Sequence, residues 1–312
     1  MYHASLIWPE SLTTAAWTKT SHKVNAHHFG RSLKMNFQYP LILDGATGTE
    51  LMKHGYNGNR QEEWILEHKD VLIALKNEYI KAGSQAIYTP TFGANRAKLK
   101  LCGLEDKTAE LNTQLVNLIK QPGILTFGDM GPTGLFSGRL GKTTIEELYD
   151  IYREQASALH SAGVDGFAIE TMMTPEDTLA AVNACRDTAD IPILLSLTCD
   201  KRGYLMTGTN ITDVLKMVEP LGITAFGLNC SVGPDLMLEQ IKRIAKETDL
   251  PLIAKPNAGL PVNRGGKTVY DCTPEKFASF AKDFVSCGVR FIGGCCGTTP
   301  EHIRLLANAL KS

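Results

Sequence analysis

The run Phe291-Ile-Gly-Gly-Cys-Cys-Gly297 sets two adjacent thiols between glycines, and a third thiol, Cys230, closes the run Gly227-Leu-Asn-Cys230. Successive residues of a strand point to opposite faces, so both sulfurs of the pair can reach one point only where the pleat ends. Gly293, Gly294 and Gly297 permit that departure from β geometry. Three soft thiolates suit Zn²⁺, whose tetrahedral shell would keep one position free for a substrate or a water. Cys199 competes with Cys230 as the third ligand but is followed by Asp200 and Lys201, which read as solvated. The plainer alternative is a vicinal redox pair with Cys230 as a buried thiol. A zinc hydroxide is best made by neutral ligands such as three histidines. Three thiolates make a poorer Lewis acid for water, yet a thiol arriving there still loses its proton while its sulfur stays electron-rich. Such a site activates a thiol as a nucleophile, and alkyl transfer to sulfur follows.

These thiols need elements that bring them together, and one unit recurs from Tyr39 onward: a short β-branched run, a polar or glycine-containing loop, then an amphipathic stretch. The predicted strands are 41–44, 86–91, 124–129, 166–171, 192–199, 225–230, 252–257 and 291–295. The predicted helices are 71–82, 109–120, 145–162, 175–187, 211–219, 234–247, 274–287 and 300–310, from apolar spacing at i, i+3 and i+4. Pro175, Pro234, Pro274 and Pro300 mark helix starts, since a first-turn residue has no N–H partner to lose. Thr174, Thr273 and Thr299, each before Pro-Glu, supply capping hydroxyls. Gly45-Ala-Thr-Gly48 after the first strand lacks the G-x-G-x-x-G spacing of a doubly wound dinucleotide fold. The expected architecture is a single (β/α)₈ TIM barrel over residues 37–312. Its chemistry then belongs at the carboxyl ends of the strands, where Asp44, Thr91, Asp129, Glu170, Cys199, Cys230, Asn257 and Cys295–Cys296 fall.

The 312 residues are 43% hydrophobic and 21% charged, enough to bury one large core. Lysine plus arginine number 32 against 33 acids, so nothing points to nucleic acid. The longest apolar runs fall far short of a membrane span. Eight cysteines without an apolar signal peptide read as a reduced, cytoplasmic protein. Residues 1–36 differ: four basic residues against Glu10 alone, four histidines and no hydrophobic period. They read as an irregular, poorly ordered, non-catalytic extension. A barrel aldolase would instead need a Schiff-base lysine at a strand end, and Lys255 is the one candidate.

Asp44-Gly-Ala-Thr-Gly-Thr49, Glu170-Thr-Met172, Gly227-Leu-Asn-Cys230 and Gly293-Gly-Cys-Cys-Gly-Thr-Thr-Pro300 closely resemble the motifs of the zinc-dependent homocysteine S-methyltransferase family. Its members include the homocysteine module of cobalamin-dependent methionine synthase and the betaine- and S-methylmethionine-using enzymes. The resemblance runs from about Tyr39 to Leu310. It implies Cys230, Cys295 and Cys296 as zinc ligands, and Asp44 and Glu170 as receivers of the homocysteine ammonium through charge-assisted hydrogen bonds. Backbone N–H groups of the Gly45 turn and of the Thr91–Gly93 loop would take the substrate carboxylate. Asn257 would fill the fourth zinc position or orient the sulfur. Gly131-Pro-Thr-Gly134 and Cys296-Gly-Thr-Thr-Pro300 resemble the methionine-synthase module most. The expected donor is therefore methylcobalamin on a separate corrinoid protein, with S-methylmethionine or betaine as the alternative. Thr47 and Pro90 depart from residues usual in the methionine-synthase branch. A non-catalytic zinc-binding partner subunit is the alternative of a different class. An apolar rim of Leu135, Phe136 and Met172–Met173 would meet a partner or pack under loops. The candidate lids, 56–69 and 261–273, are too short to enclose a small donor.

Overall fold

A computed structural model describes residues 37–311 apart from 59, 139 and 266, so the extension expected at 1–36 lies outside the described residues. The strands are β1 (Leu41–Ile42), β2 (Ala86–Tyr88), β3 (Leu125–Met130), β4 (Gly166–Met172), β5 (Ile193–Leu197), β6 (Ala225–Asn229), β7 (Leu252–Lys255), β8 (Pro261–Arg264), β9 (Lys267–Tyr270) and β10 (Val289–Ile292). Eight of them form one parallel sheet in the order β1-β10-β7-β6-β5-β4-β3-β2, with helices in the connections. The chain is thus a (β/α)₈ barrel. The β1–β2 seam closes through Gln85, just ahead of β2. Its N–H donates to the Ile42 carbonyl (2.8 Å), and its side-chain oxygen accepts the Ile42 N–H (3.0 Å).

Alternation along the strands makes two apolar layers. Leu41, Leu43, Tyr88, Phe127, Ala168, Leu194, Ile253 and Phe291 fill the barrel interior. Their neighbours of opposite parity, including Phe167, Ile169, Leu195, Phe226 and Ile292, pack outward under the helices. Above the interior plug the inward positions turn polar, with Asp129, Glu170, Ser196, Asn229 and Lys255 all buried.

Local chemistry at the helix starts follows the sequence. Proline occupies the first turn of Pro175–Thr188, Pro234–Ile244, Pro274–Ser279 and Pro300–Lys311. Thr174 and Thr273 accept the N–H of Asp177 (3.2 Å) and Lys276 (3.3 Å), caps worth about 1 kcal/mol each. Thr299 differs: its own N–H donates to His302 Nδ1 (3.1 Å), so the histidine satisfies the helix start.

The expected helix over 274–287 is two, Pro274–Ser279 and Ala281–Ser286, because the Phe280 N–H tightens onto the Phe277 carbonyl (3.3 Å). The expected lid segments also carry structure: Gln61–Glu67 is helical, and β8 and β9 make an antiparallel hairpin. Most strands stop one to three residues earlier than periodicity suggests, and the residues beyond the last ladder bond build the site.

Candidate metal and substrate site

Backbone departures from β geometry bring the three thiols together. Immediately after β6, Cys230 (φ 61°) and Ser231 (φ 65°) take left-handed conformations, which non-glycine residues adopt only when surroundings hold them there. The Cys230 N–H is held by the Lys255 carbonyl (3.0 Å). On the other side, β10 ends at Ile292, and residues 293–296 thread between the ends of β1 and β7. Gly293 N–H donates to Ala254, Gly294 N–H to Asp44 and Cys295 N–H to Pro256 (2.8–3.0 Å). A Cβ on Gly293 would lie 2.6 Å from the Asp44 carbonyl, so this passage admits only glycine.

The sulfurs of Cys230, Cys295 and Cys296 lie within 4.8 Å of one another, and Cys230 and Cys296 are 4.0 Å apart. A tetrahedral zinc with Zn–S bonds of about 2.3 Å spaces its sulfurs by about 3.8 Å. The trio therefore fits a tetrahedral metal with little movement. The Cys295 and Cys296 thiols, directed at the Cys230 sulfur, hold Cys230 down to about 3, while the contact with Cys230 and then burial push Cys296 up to about 11. Asn257 sits against Cys230, and its Oδ1 is buried with no partner among the described residues. An orphaned oxygen beside three thiols is a group awaiting a metal or a ligand. Cys199 stands outside the cluster, its thiol pushed up to about 11 by burial and then by Asp200.

A carboxylate end adjoins this thiol end. The β4–β5 register shifts between Ile169 and Met172, and Thr171 (φ 65°) turns the strand, a bulge that re-aims Glu170. Asn229, fully buried, clamps that turn: it accepts the Thr171 N–H (2.8 Å) and the Ser196 hydroxyl (2.9 Å) and donates to Thr171 Oγ1 (2.7 Å). As the residue before Cys230, Asn229 ties the acid turn to the metal turn. Lys255 reaches across the interior from β7 to place its ammonium 2.7 Å from Glu170 Oε2 and 3.6 Å from the Tyr88 ring centroid. Burial alone would lower its pKa, but the Glu170 charge, with Tyr88, Asp44 and Cys295, outweighs that and raises it. A Schiff-base lysine needs the opposite shift, so the aldolase alternative loses its nucleophile.

The remaining expected contacts are placed as follows. Asp44 Oδ2 accepts from Lys76 (2.6 Å) and from the Tyr88 N–H (3.2 Å), both ion-pair partners being buried, while Oδ1 has no partner. Thr91 is fully buried; its hydroxyl donates to the Asp129 carbonyl (2.7 Å), and its carbonyl accepts from Gln155 (2.8 Å). In the same loop the Gly93 N–H is already taken by Glu62 Oε1 (3.1 Å). Gly45 lies under Tyr79 and Thr298, where a Cβ would come within 2.9 Å of both. The sequence reading missed Lys76, Asn229, Tyr270 and the pairing of Lys255. Tyr270, at the end of β9, brings its hydroxyl to Cys296; burial and then the cysteine charge push its phenol up. Only the Asn of Gly-Leu-Asn-Cys carried a signal, through its place beside Cys230.

Comparison with known proteins agrees with this geometry. The chain is 31% identical over 309 residues to methionine synthase of Mycobacterium leprae, an alignment covering 92% of this chain and 26% of that protein. It is 31% identical over 297 residues to methionine synthase of Mycobacterium tuberculosis, covering 88% and 25%. It thus spans about a quarter of the length of those relatives. The oxidized form of the homocysteine methyltransferase MmuM from Escherichia coli superposes with a TM-score of 0.73 at 26% identity, covering 90% of this chain and 99% of that one. A family model described as homocysteine S-methyltransferase matches residues 41–310, and the chain belongs to that family of enzymes.

Proposed function

We propose that the chain transfers a methyl group to the thiol of homocysteine, giving methionine, at zinc held by Cys230, Cys295 and Cys296, with a methylated corrinoid on another protein or domain as donor. The observation that carries the reading is the convergence of three thiols at tetrahedral spacing beside the unpartnered Asn257 oxygen. Zinc bound there supplies the positive charge that lets an incoming thiol lose its proton near neutral pH. The chain's own residues do the rest. Asn257 would hold the fourth zinc position or orient the substrate sulfur. The acid cluster around Glu170 and Asp44 receives the ammonium, and backbone N–H groups near Gly45 and Thr91 receive the carboxylate. Sulfur then forms a bond to the methyl carbon in line, and the electron pair of the broken bond stays with the donor.

The exposed surface supports a protein-borne donor. Apart from Tyr39, every exposed large hydrophobic among the described residues, from Met52 and Leu101 to Leu260 and Val262, follows a barrel strand. In a barrel those segments lie on the mouth side, and exposed apolar side chains there suit a docking partner. Zinc-loaded protein should methylate homocysteine faster from methylcobalamin, free or carried by a corrinoid protein, than from S-methylmethionine or betaine at equal concentration. Turnover with S-methylmethionine and none with methylcobalamin would reject the corrinoid donor and leave the thiol chemistry standing.

A further inference from the structure

The charges buried at the barrel mouth do not balance. Asp44 is paired with Lys76, and Glu170 with Lys255. Asp129, on the inward side of β3, is left over. It is 7% exposed, its Oδ1 is fully buried, and its carboxylate has no hydrogen-bond partner among the described residues. Its position is nonetheless tightly held. Its N–H donates to Thr89 Oγ1 (2.8 Å), and its carbonyl accepts the Thr91 hydroxyl (2.7 Å). Phe127, on the same face of β3, forms the apolar floor beneath it. Burying a carboxyl without a partner is costly, and a ligand cation in the mouth would supply one.

We infer that Asp129 receives the ammonium of the acceptor thiol and thereby restricts that acceptor to amino acids. The inference rests on the reading of homocysteine as acceptor and adds a residue to it. Glu170 gives one oxygen to Lys255, and Asp44 gives one to Lys76 and a backbone N–H, so each keeps a single oxygen for the ammonium. Asp129 offers a whole carboxylate. Among charged groups, Glu170 and then Lys255 act most strongly on it. An ammonium between Asp129 and the free oxygen of Glu170 would complete an alternating chain of charges with Lys255 at its far end. Burial, and then the Glu170 charge, push the Asp129 carboxyl well above the usual carboxylate range, which marks a group that lacks its cation.

Asp129→Asn keeps the shape and removes the charge. The test compares homocysteine with 4-mercaptobutanoate, the same thiol acid without its amino group, by titration calorimetry and methylation kinetics on zinc-loaded protein. The parent should prefer homocysteine. The variant should lose roughly 10-fold to 100-fold in homocysteine affinity, the scale of a charged hydrogen bond, and should bind 4-mercaptobutanoate at least as well as the parent. Zinc content should be unchanged, and the variant should melt no lower than the parent, because an unpaired buried charge has been removed. A variant that keeps the parent's preference, weakens both thiols equally, or melts lower with unchanged selectivity overturns the assignment of Asp129. A parent that does not bind homocysteine overturns instead the acceptor reading on which it rests.

Discussion

The Lys255–Glu170 pair makes a quantitative demand on stability. Its charges lie 2.7 Å apart with both side chains nearly inaccessible. At an effective dielectric constant of about 20 the gross attraction is about 6 kcal/mol, and removing both groups from water costs several kcal/mol per ion. The two nearly cancel, so the pair itself contributes little. Either half alone is costly, at about 3–5 kcal/mol for an uncompensated buried charge. Glu170→Gln keeps an oxygen near the ammonium and should fall near 3 kcal/mol. Lys255→Met also loses the contact with Tyr88 and leaves Glu170 beside Asp129, so it should fall nearer 5 kcal/mol. The double variant, with no unpaired charge at these two positions, should lose only about 1–2 kcal/mol. The interaction energy of the cycle is then several kcal/mol. Urea denaturation of the zinc-loaded protein measures all four corners, and melting should show each single variant lower by roughly 6–20 °C. Single effects that sum to the double within about 0.5 kcal/mol would show that the two side chains do not interact as described.

Two further outcomes are expected. Cys230→Ala, Cys295→Ala and Cys296→Ala should each remove most of one bound zinc per chain while Cys199→Ala leaves it, read by metal analysis after dialysis; zinc retained in all three would reject the ligand set. Burial, eased by Tyr152 and Thr133, raises Asp177 to about 6 from 3.8, so ionising it costs stability as pH climbs from about 4 through 6. Asp177→Asn should therefore match the parent near pH 4 and exceed it by about 2–3 kcal/mol at pH 7.5, measured as urea midpoints; an equal offset at both pH values would refute this.

The repeat of strand and helix, the proline starts and the threonine caps were legible because each depends on residues close in the chain. The grouping of the three thiols was legible for a related reason: adjacent cysteines among glycines have few uses, and a barrel sends strand ends to one mouth. Strand lengths were not legible. The strands end at Ile42, Leu197 and Lys255, short of the predicted ends at 44, 199 and 257, because where the pleat stops depends on contacts from neighbouring elements. Nor could any local pattern disclose that Lys255 crosses from β7 to Glu170 on β4, or that Lys76 reaches Asp44 from the helix Lys69–Ala82.

The sequence by itself therefore determined which side chains reach the mouth, since strand order and period decide that. Tertiary structure alone decided which of their charges are already satisfied. Pairing depends on distances of a few ångströms between strands 85 residues apart in the chain, and at low dielectric those distances decide whether a carboxylate already has an ion partner, as Asp44 and Glu170 do, or has none, as at Asp129.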